Sequence, residues 1–436
     1  MSGVGAPSRG KPLYTLERLS NGARLIVCPM AARTSVSVSF GFSVGSRYED
    51  ERSAGLAHFI EHIVFKGSRD FPTARHISEA IEGVGGVLNA STDREDTVFW
   101  ARVPSRHLRL AATVLADMLI RPRVEQAEVT KERRVVIEEL RMYADNPQDY
   151  AQQLFDDVMW PDHPLGRDVA GSEQTVASFK SADCRGILDR MYRPERLVIT
   201  VAGDVAPDEP RGLFEELLAD WAPGEAVSPP RSAGSVAGHE LRVGDRPTEQ
   251  ANILVGARGP SYSDEDRHAV DILNGILGDG MSSRLFLEVR ERQGLAYDVH
   301  SFSVKLADTG AFGMSIGCEP ARALRAVESA IGQLTALAER PPTDEEVVRA
   351  KEYGKGRLQL HLESTSGLGS YFGEQELLTG TILDPEALTA CLEAVGPRDV
   401  QRVAAAVLEN GLRGAVVGPV PKAERLAAAL ERATEK

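Results

Sequence analysis

Four cysteines in 436 residues is a small number, and Cys28, Cys184, Cys318 and Cys391 stand far apart with no CxxC pair. That excludes a disulfide framework and makes a reducing compartment the expectation. No run of about 18 apolar residues occurs, which argues against a spanning helix. The first 14 residues carry basic side chains but no apolar run of signal-peptide length, so a cytoplasmic protein is expected. Positive charge is also scarce. Fifty Lys and Arg face 64 Asp and Glu, a formal net charge of −14. An acidic body repels nucleic acid and anionic membrane, so neither is expected as a partner. Peptides and small molecules remain open. What the chain does have, 42% hydrophobic and 26% charged residues, is the composition of a folded soluble protein.

The best linker is Ala222 to Gly238, APGEAVSPPRSAGSVAG, rich in Pro, Gly, Ser and Ala and without apolar periodicity. It separates residues 1–221 from 239–436, and each part is large enough to bury a core. Each part reads as α+β. In the first, Ala23 to Pro29 and Ser35 to Phe42 look like neighbouring strands, and Val87 to Thr92 with Thr97 to Val103 form a hairpin. Helices are expected over Gly55 to Phe65, Ala74 to Glu82, His107 to Leu119 and Glu125 to Tyr143. Arg196 to Ala202 reads as a buried strand, and Arg211 to Trp221 as a closing helix. The second part repeats the order: a strand at Asn252 to Ala257, helices at Asp264 to Leu277 and Ser282 to Arg292, and paired strands at Tyr297 to Leu306 and Gly310 to Gly317. Long helices at Arg322 to Glu339 and Asp344 to Leu362 and a late strand at Leu412 to Val417 complete it. One order of elements used twice suggests duplication. The expected fold is two homologous α/β-sandwich halves, each a mainly antiparallel sheet packed against helices.

His58, Glu61 and His62 lie in the helical stretch Gly55 to Phe65. Positions four apart share a helix face, so both imidazoles can reach one metal ion, and Glu61 is on the same face. Two histidines and a carboxylate suit zinc, which in a catalytic site takes three protein ligands and leaves a position for water. One carboxylate must then act as base, and Glu61, between the histidines, is placed to take the water proton and pass it to a leaving amine. The third ligand must come from elsewhere. Glu132 to Leu140, ERRVVIEEL, offers Glu132, Glu138 and Glu139 on one helix. Glu132 and Glu139 are two turns apart on nearly one face, with Glu138 about 100° away. Chemistry alone admits Glu138 or Glu139; periodicity pairs Glu139 with Glu132. The bland alternative is a polar helix face with two ordinary histidines.

HxxEH is the inverted zinc-peptidase signature. The segment GSRYEDERSAGLAHFIEHIVFKGS closely resembles the pitrilysin-type, or M16, metallopeptidases, among them processing-type bacterial proteases, and the likeness extends over nearly the whole chain. The resemblance implies one zinc per chain. It selects Glu139, about 77 residues beyond His62, as third ligand, with Glu132 as the outer carboxylate. It makes Gly86 to Thr92 a substrate-binding edge strand, with Asn89 and Ala90 pairing to substrate backbone by strand addition. It implies that Arg290 and Tyr297 reach an active site from the opposite half of a clamshell, Arg290 on the substrate backbone and Tyr297 donating to the oxyanion. By itself Tyr297 reads as a strand-start aromatic in a core. His163, in a family-like His-Pro-Leu-Gly segment, reads as a turn residue. His76, His107, His268, His300 and His361 have no partner spacing. Substitutions from the family words, Ile63-Val64 and Ser68, touch no implied catalytic role.

Two homologous halves make half a chamber of the family's largest members, so the resemblance implies pairing, as a homodimer or with a homologous chain. The implied function is a zinc endopeptidase for unfolded or short peptides, in processing or degradation. The rival from another class is a non-catalytic homologous scaffold or partner subunit, which zinc content separates. A second rival is a zinc hydrolase of small amides, which has no need of a peptide-pairing edge strand.

Overall fold

The computed structural model describes residues 12–434 apart from 32, 225–226 and 233–237. The expected linker, 222–238, therefore lies partly outside the described residues. The start of the chain up to residue 11 does so too.

The first sheet contains β1 (Thr15–Arg18), β2 (Arg24–Pro29), β3 (Ser35–Phe42), β4 (Val87–Thr92), β5 (Thr97–Pro104) and β6 (Leu197–Gly203), in the order β1-β2-β6-β3-β5-β4. The second contains β7 (Leu241–Gly244), β8 (Ala251–Gly259), β9 (Ala296–Lys305), β10 (Gly310–Cys318) and β11 (Arg413–Val417), in the order β7-β11-β8-β10-β9. Removing β1 makes the two orders identical. Each sheet also has one parallel pair, β2 with β6 and β7 with β11, among antiparallel ones. The repeat read from the sequence is thus present in strand order and direction.

The expectation that β2 and β3 are neighbours is wrong. β6, from 155 residues beyond the end of β3 (197 − 42), pairs with both and separates them. Its seven residues are all buried, the pattern of a strand covered on both faces. Such a strand specifies that it is central, not which partners it enters between.

Side chains alternate along β3. Val36, Val38, Phe40 and Phe42 enter the first core, where they meet Leu56, Phe59, Ile60 and Ile63 from the helix Leu56–Val64. Ser37, Ser39 and Gly41 point to the other face, since successive strand residues do so. That face is covered by the helix Thr365–Thr379, which belongs to the second half by sequence. Leu368, Phe372 and Leu377 pack there on Val198 and Ala202. Reciprocally, the helix Pro147–Met159 of the first half lays Ala151, Phe155 and Val158 on Leu254, Ala415 and Val417 of the second sheet. Each half therefore completes the other's sandwich.

The covering helix Thr365–Thr379 was not legible in the sequence because it holds Gly367, Gly369 and Gly373, poor helix formers. The structure gives Gly373 a purpose. A Cβ on Gly373 would stand 2.7 Å from Thr200 Oγ1, and one on Gly369 would meet Ala202 Cβ at 3.4 Å. At Gly373 the helix lies so close to β6 that a side chain would collide with Thr200, whereas at Gly369 a Cβ would only make ordinary contact. Ser282 to Arg292, expected as an α-helix, is instead a π-helix over Phe286–Arg292, with Gln293 N–H donating to Glu288 O five residues back.

The halves are also joined by a buried clasp. Arg47, 1% exposed, binds Glu95 at 2.5 Å and Asp308 at 2.6 Å. Glu95 also accepts the Ala307 N–H at 2.9 Å. The clasp holds the turn that follows β4.

Candidate metal centre

The helix Leu56–Val64 starts at Gly55 and buries its apolar stripe in the first core, which turns His58, Glu61 and His62 away from it. The long helix Gln126–Asp145 runs beside it. Ligand atoms of His58, His62 and Glu139 lie within 4.8 Å of one another. Glu139 Oε2 is 3.9 Å from His58 Nε2 and 3.4 Å from His62 Nε2. Two imidazole nitrogens and one carboxylate oxygen, converging on one point and partly open to solvent, are a donor set that fits zinc. Chemistry alone left Glu138 and Glu139 open, while periodicity and the family resemblance favoured Glu139. Glu138 is 71% exposed and paired with Arg141, so only Glu139 meets the histidines.

Around these three, each free valence has a partner except one. His62 Nδ1 is 3.0 Å from Glu132 Oε1, and Lys66 Nζ is 2.7 Å from Glu132 Oε2. Burial raises the Glu132 pKa, but the His62 and Lys66 hydrogen bonds and the Lys66 charge outweigh it, and the group is held below the usual carboxylate range. The Tyr143 hydroxyl donates to Glu139 Oε1 at 3.0 Å. Burial and that hydrogen bond push the Tyr143 pKa up to about 12, so it stays a donor. The exception is His58 Nδ1, buried without a partner. Burial, and then the neighbouring His62, push the His58 pKa down to about 4; Glu139 opposes this. A neutral imidazole is the form that binds a metal.

Glu61 sits against Thr92 at the end of β4. Burial raises its pKa, while the Thr92 side chain and backbone and His62 oppose the rise. The Thr92 hydroxyl itself makes no hydrogen bond of ordinary geometry. β4 pairs with β5 alone and forms the sheet edge. Asn89 is exposed and Ala90 half-buried on it, and the Ala90 N–H is held by Asn89 Oδ1 at 2.9 Å.

Arg290 and Tyr297 lie together on the second half. The Arg290 guanidinium is 5.4 Å from the Tyr297 ring centroid and 4.8 Å from that of Phe286. Tyr297 is 73% exposed, so it is not a core aromatic. Neither residue belongs to the cluster of possible metal donors, which is formed by His58, His62 and Glu139 alone among the described residues. His163 is a turn residue as expected: its Nδ1 accepts the Leu165 N–H at 3.2 Å and starts a short 3-10 turn.

Sequence reasoning missed Lys66 and Tyr143. For Tyr143 the signal was available, since it stands four residues beyond Glu139 on one helix face; Lys66 lies in the turn just past the helix Leu56–Val64, where helix spacing does not place it. It also missed Glu49. This residue is 5% exposed and accepts the Gly55 and Ala57 N–H groups at 2.7 and 2.6 Å. Burial pushes its pKa up to about 8, against those amides and Arg167.

The fold is thus two sheets of duplicated topology, with two histidines and a glutamate that could hold a metal ion meeting at one helix pair. Models of two family domains match the chain: insulinase (peptidase family M16) over residues 26–173, and the peptidase M16 inactive domain over residues 178–353. An uncharacterized zinc protease of Streptomyces coelicolor is 36% identical over 409 residues, 92% of this chain and 89% of that one. Another, of Bacillus subtilis, is 33% identical over 400 residues, 92% and 97% of the two. The chain belongs to peptidase family M16. The solved structure of a protease from Helicobacter pylori superposes with a TM-score of 0.87 at 23% identity, covering 94% of this chain and all of that one. A structure described as a peptidase M16 inactive domain from Pseudomonas fluorescens gives 0.86 at 18%, covering 94% and 98%. These two show the fold. No helix among the described residues is long and apolar enough to cross a membrane.

Proposed function

We propose that this chain is a zinc-dependent endopeptidase for unfolded or short peptides, with one zinc per chain held by His58, His62 and Glu139. The observation that carries the reading is the convergence of those three donors on the helix face that also presents Glu61, beside a free sheet edge. Bound zinc supplies Lewis acidity, polarising a carbonyl and acidifying water.

The chain's own residues do the rest. Glu132 holds the His62 Nδ1 proton and leaves Nε2 as the donor atom. The Tyr143 hydroxyl occupies one oxygen of Glu139 and leaves the other facing the histidines. Glu61, its pKa raised by burial, takes a proton from the attacking water and returns it to the leaving amine. An extended substrate adds to β4 through its main chain. For that, the Asn89 side chain must swing off the Ala90 N–H, which frees the amide for a substrate carbonyl.

The exposed Arg290–Tyr297 pair is proposed to face the metal centre of a partner chain, in a homodimer or a pair with a homologous chain. There Arg290 binds substrate backbone and Tyr297 donates to the oxyanion. The resulting chamber admits unstructured peptides. A cytoplasmic location is consistent with four cysteines that are all free.

The test is Glu61→Gln. It keeps about one zinc per chain and lowers peptide hydrolysis by about 10²–10⁴. Normal cleavage by this variant would show that the base is another group.

A further inference from the structure

We infer that Glu49 is a positioning residue: its carboxylate is the N-terminal cap of the helix Leu56–Val64 and holds His58 in place for the metal. The inference rests on the metal-site reading above.

A helix start leaves backbone N–H groups without partners, and Ser, Thr, Asp or Asn usually satisfies them from the N-cap position. Here the N-cap is Gly55, with φ +90° and no side chain to offer. Nothing but glycine fits. A Cβ on Gly55 would stand 2.3 Å from the Ala170 carbonyl oxygen, and one on Gly171 would stand 2.2 Å from that of Ala54. Two chain segments cross backbone to backbone at this point, and the crossing removes the local cap.

Glu49 replaces it from six residues upstream. One of its oxygens accepts the Gly55 N–H and the other the Ala57 N–H. Both oxygens accept backbone N–H groups of the helix start, and those hydrogen bonds oppose the rise in pKa that burial causes. The crossing segment closes the arrangement, because Arg167 Nη2 donates to the Glu49 backbone oxygen at 2.5 Å. Arg167 directly follows the His163-Pro-Leu-Gly turn, so that turn gains a role in setting the helix start.

The two histidines depend on this unequally. His62, in the second turn, is braced by Glu132. His58 is the third helical residue, with no hydrogen bond at Nδ1, and its position depends on the first turn. Loss of the cap lets that turn fray.

The experiment compares full-length wild-type protein with Glu49→Ala, Glu49→Gln and Arg167→Ala by amide hydrogen exchange, by zinc titration against a chelator and by peptide cleavage. For Glu49→Ala, exchange rises over residues 55–60 and not over 62–66, the zinc Kd rises about tenfold, and kcat falls with KM little changed. Glu49→Gln, which keeps one good acceptor, lies between. Wild-type exchange and zinc affinity in Glu49→Ala overturn the inference. If Glu49→Ala does not fold, wild-type values of both in Glu49→Gln and Arg167→Ala overturn it equally. If the wild type cleaves no peptide while exchange and zinc affinity respond as stated, the peptidase reading fails and the cap stands.

Discussion

Glu132 and His62, 70 residues apart in sequence, meet at 3.0 Å between Oε1 and Nδ1. The carboxylate orients the imidazole and settles which ring nitrogen faces Glu139. Replacing Glu132 by Ala is expected to weaken zinc binding about 10–100-fold without removing a ligand. Zinc titration checks this; unchanged affinity would mean that Glu132 only neutralises Lys66.

The ligands themselves behave differently. His62→Ala and Glu139→Ala each leave fewer donors than a catalytic zinc site needs. Both variants should purify with far less than one zinc per chain, measured by elemental analysis, and should not hydrolyse peptide. Glu138→Ala, on a solvent-facing side chain, should keep its zinc.

Sharing of the site between chains predicts recovery on mixing. Glu61→Gln and Arg290→Ala/Tyr297→Phe chains are each inactive alone. Mixed dimers carry one site with all its parts, so part of the activity should return. No recovery in verified mixed dimers would place the Arg/Tyr pair and the metal centre of each active unit in one chain.

Asp96, in the turn after β4, has its pKa pushed up to about 7, first by burial and then by Asp93, Glu374 and Glu95. In the unfolded chain it ionises near 3.8. Below that value both states are protonated and there is no cost. Between 3.8 and 7 the unfolded state alone is ionised, so folding stability falls as pH rises, by at most about 4 kcal/mol. Asp96→Asn should therefore raise stability at pH 8 and barely at pH 4, as read from urea unfolding at the two pH values.

Glycines in two helices test the exchange between halves. Gly332, in the helix Ala323–Glu339, has open space around its missing Cβ, so Gly332→Ala should add about 0.5–1 kcal/mol. Gly373 lies against Thr200, and Gly373→Val should cost about 1–3 kcal/mol by overpacking. Denaturant unfolding measures both.

Much of the site was legible because helix geometry is local. The spacing of His58, Glu61 and His62 puts them on one face in any helix, and the seven-residue step from Glu132 to Glu139 does the same. The hairpin of β4 and β5 was legible for a similar reason, since an alternating strand pair joined by a short turn is a local unit. The helix Thr365–Thr379 was not. Its glycines argue against a helix until β6 is seen to lie against them.

By itself, then, the sequence determined the periodic elements, their twofold repetition and the candidate metal-binding face, all of which follow from the period of a helix or a strand. Only the tertiary structure decided that β6 enters between β2 and β3, that each half covers the other's sheet, and that Glu49 replaces a missing cap. Each of these depends on contacts between distant segments. Their partners are chosen by the shape and burial of the whole chain, which no local pattern encodes.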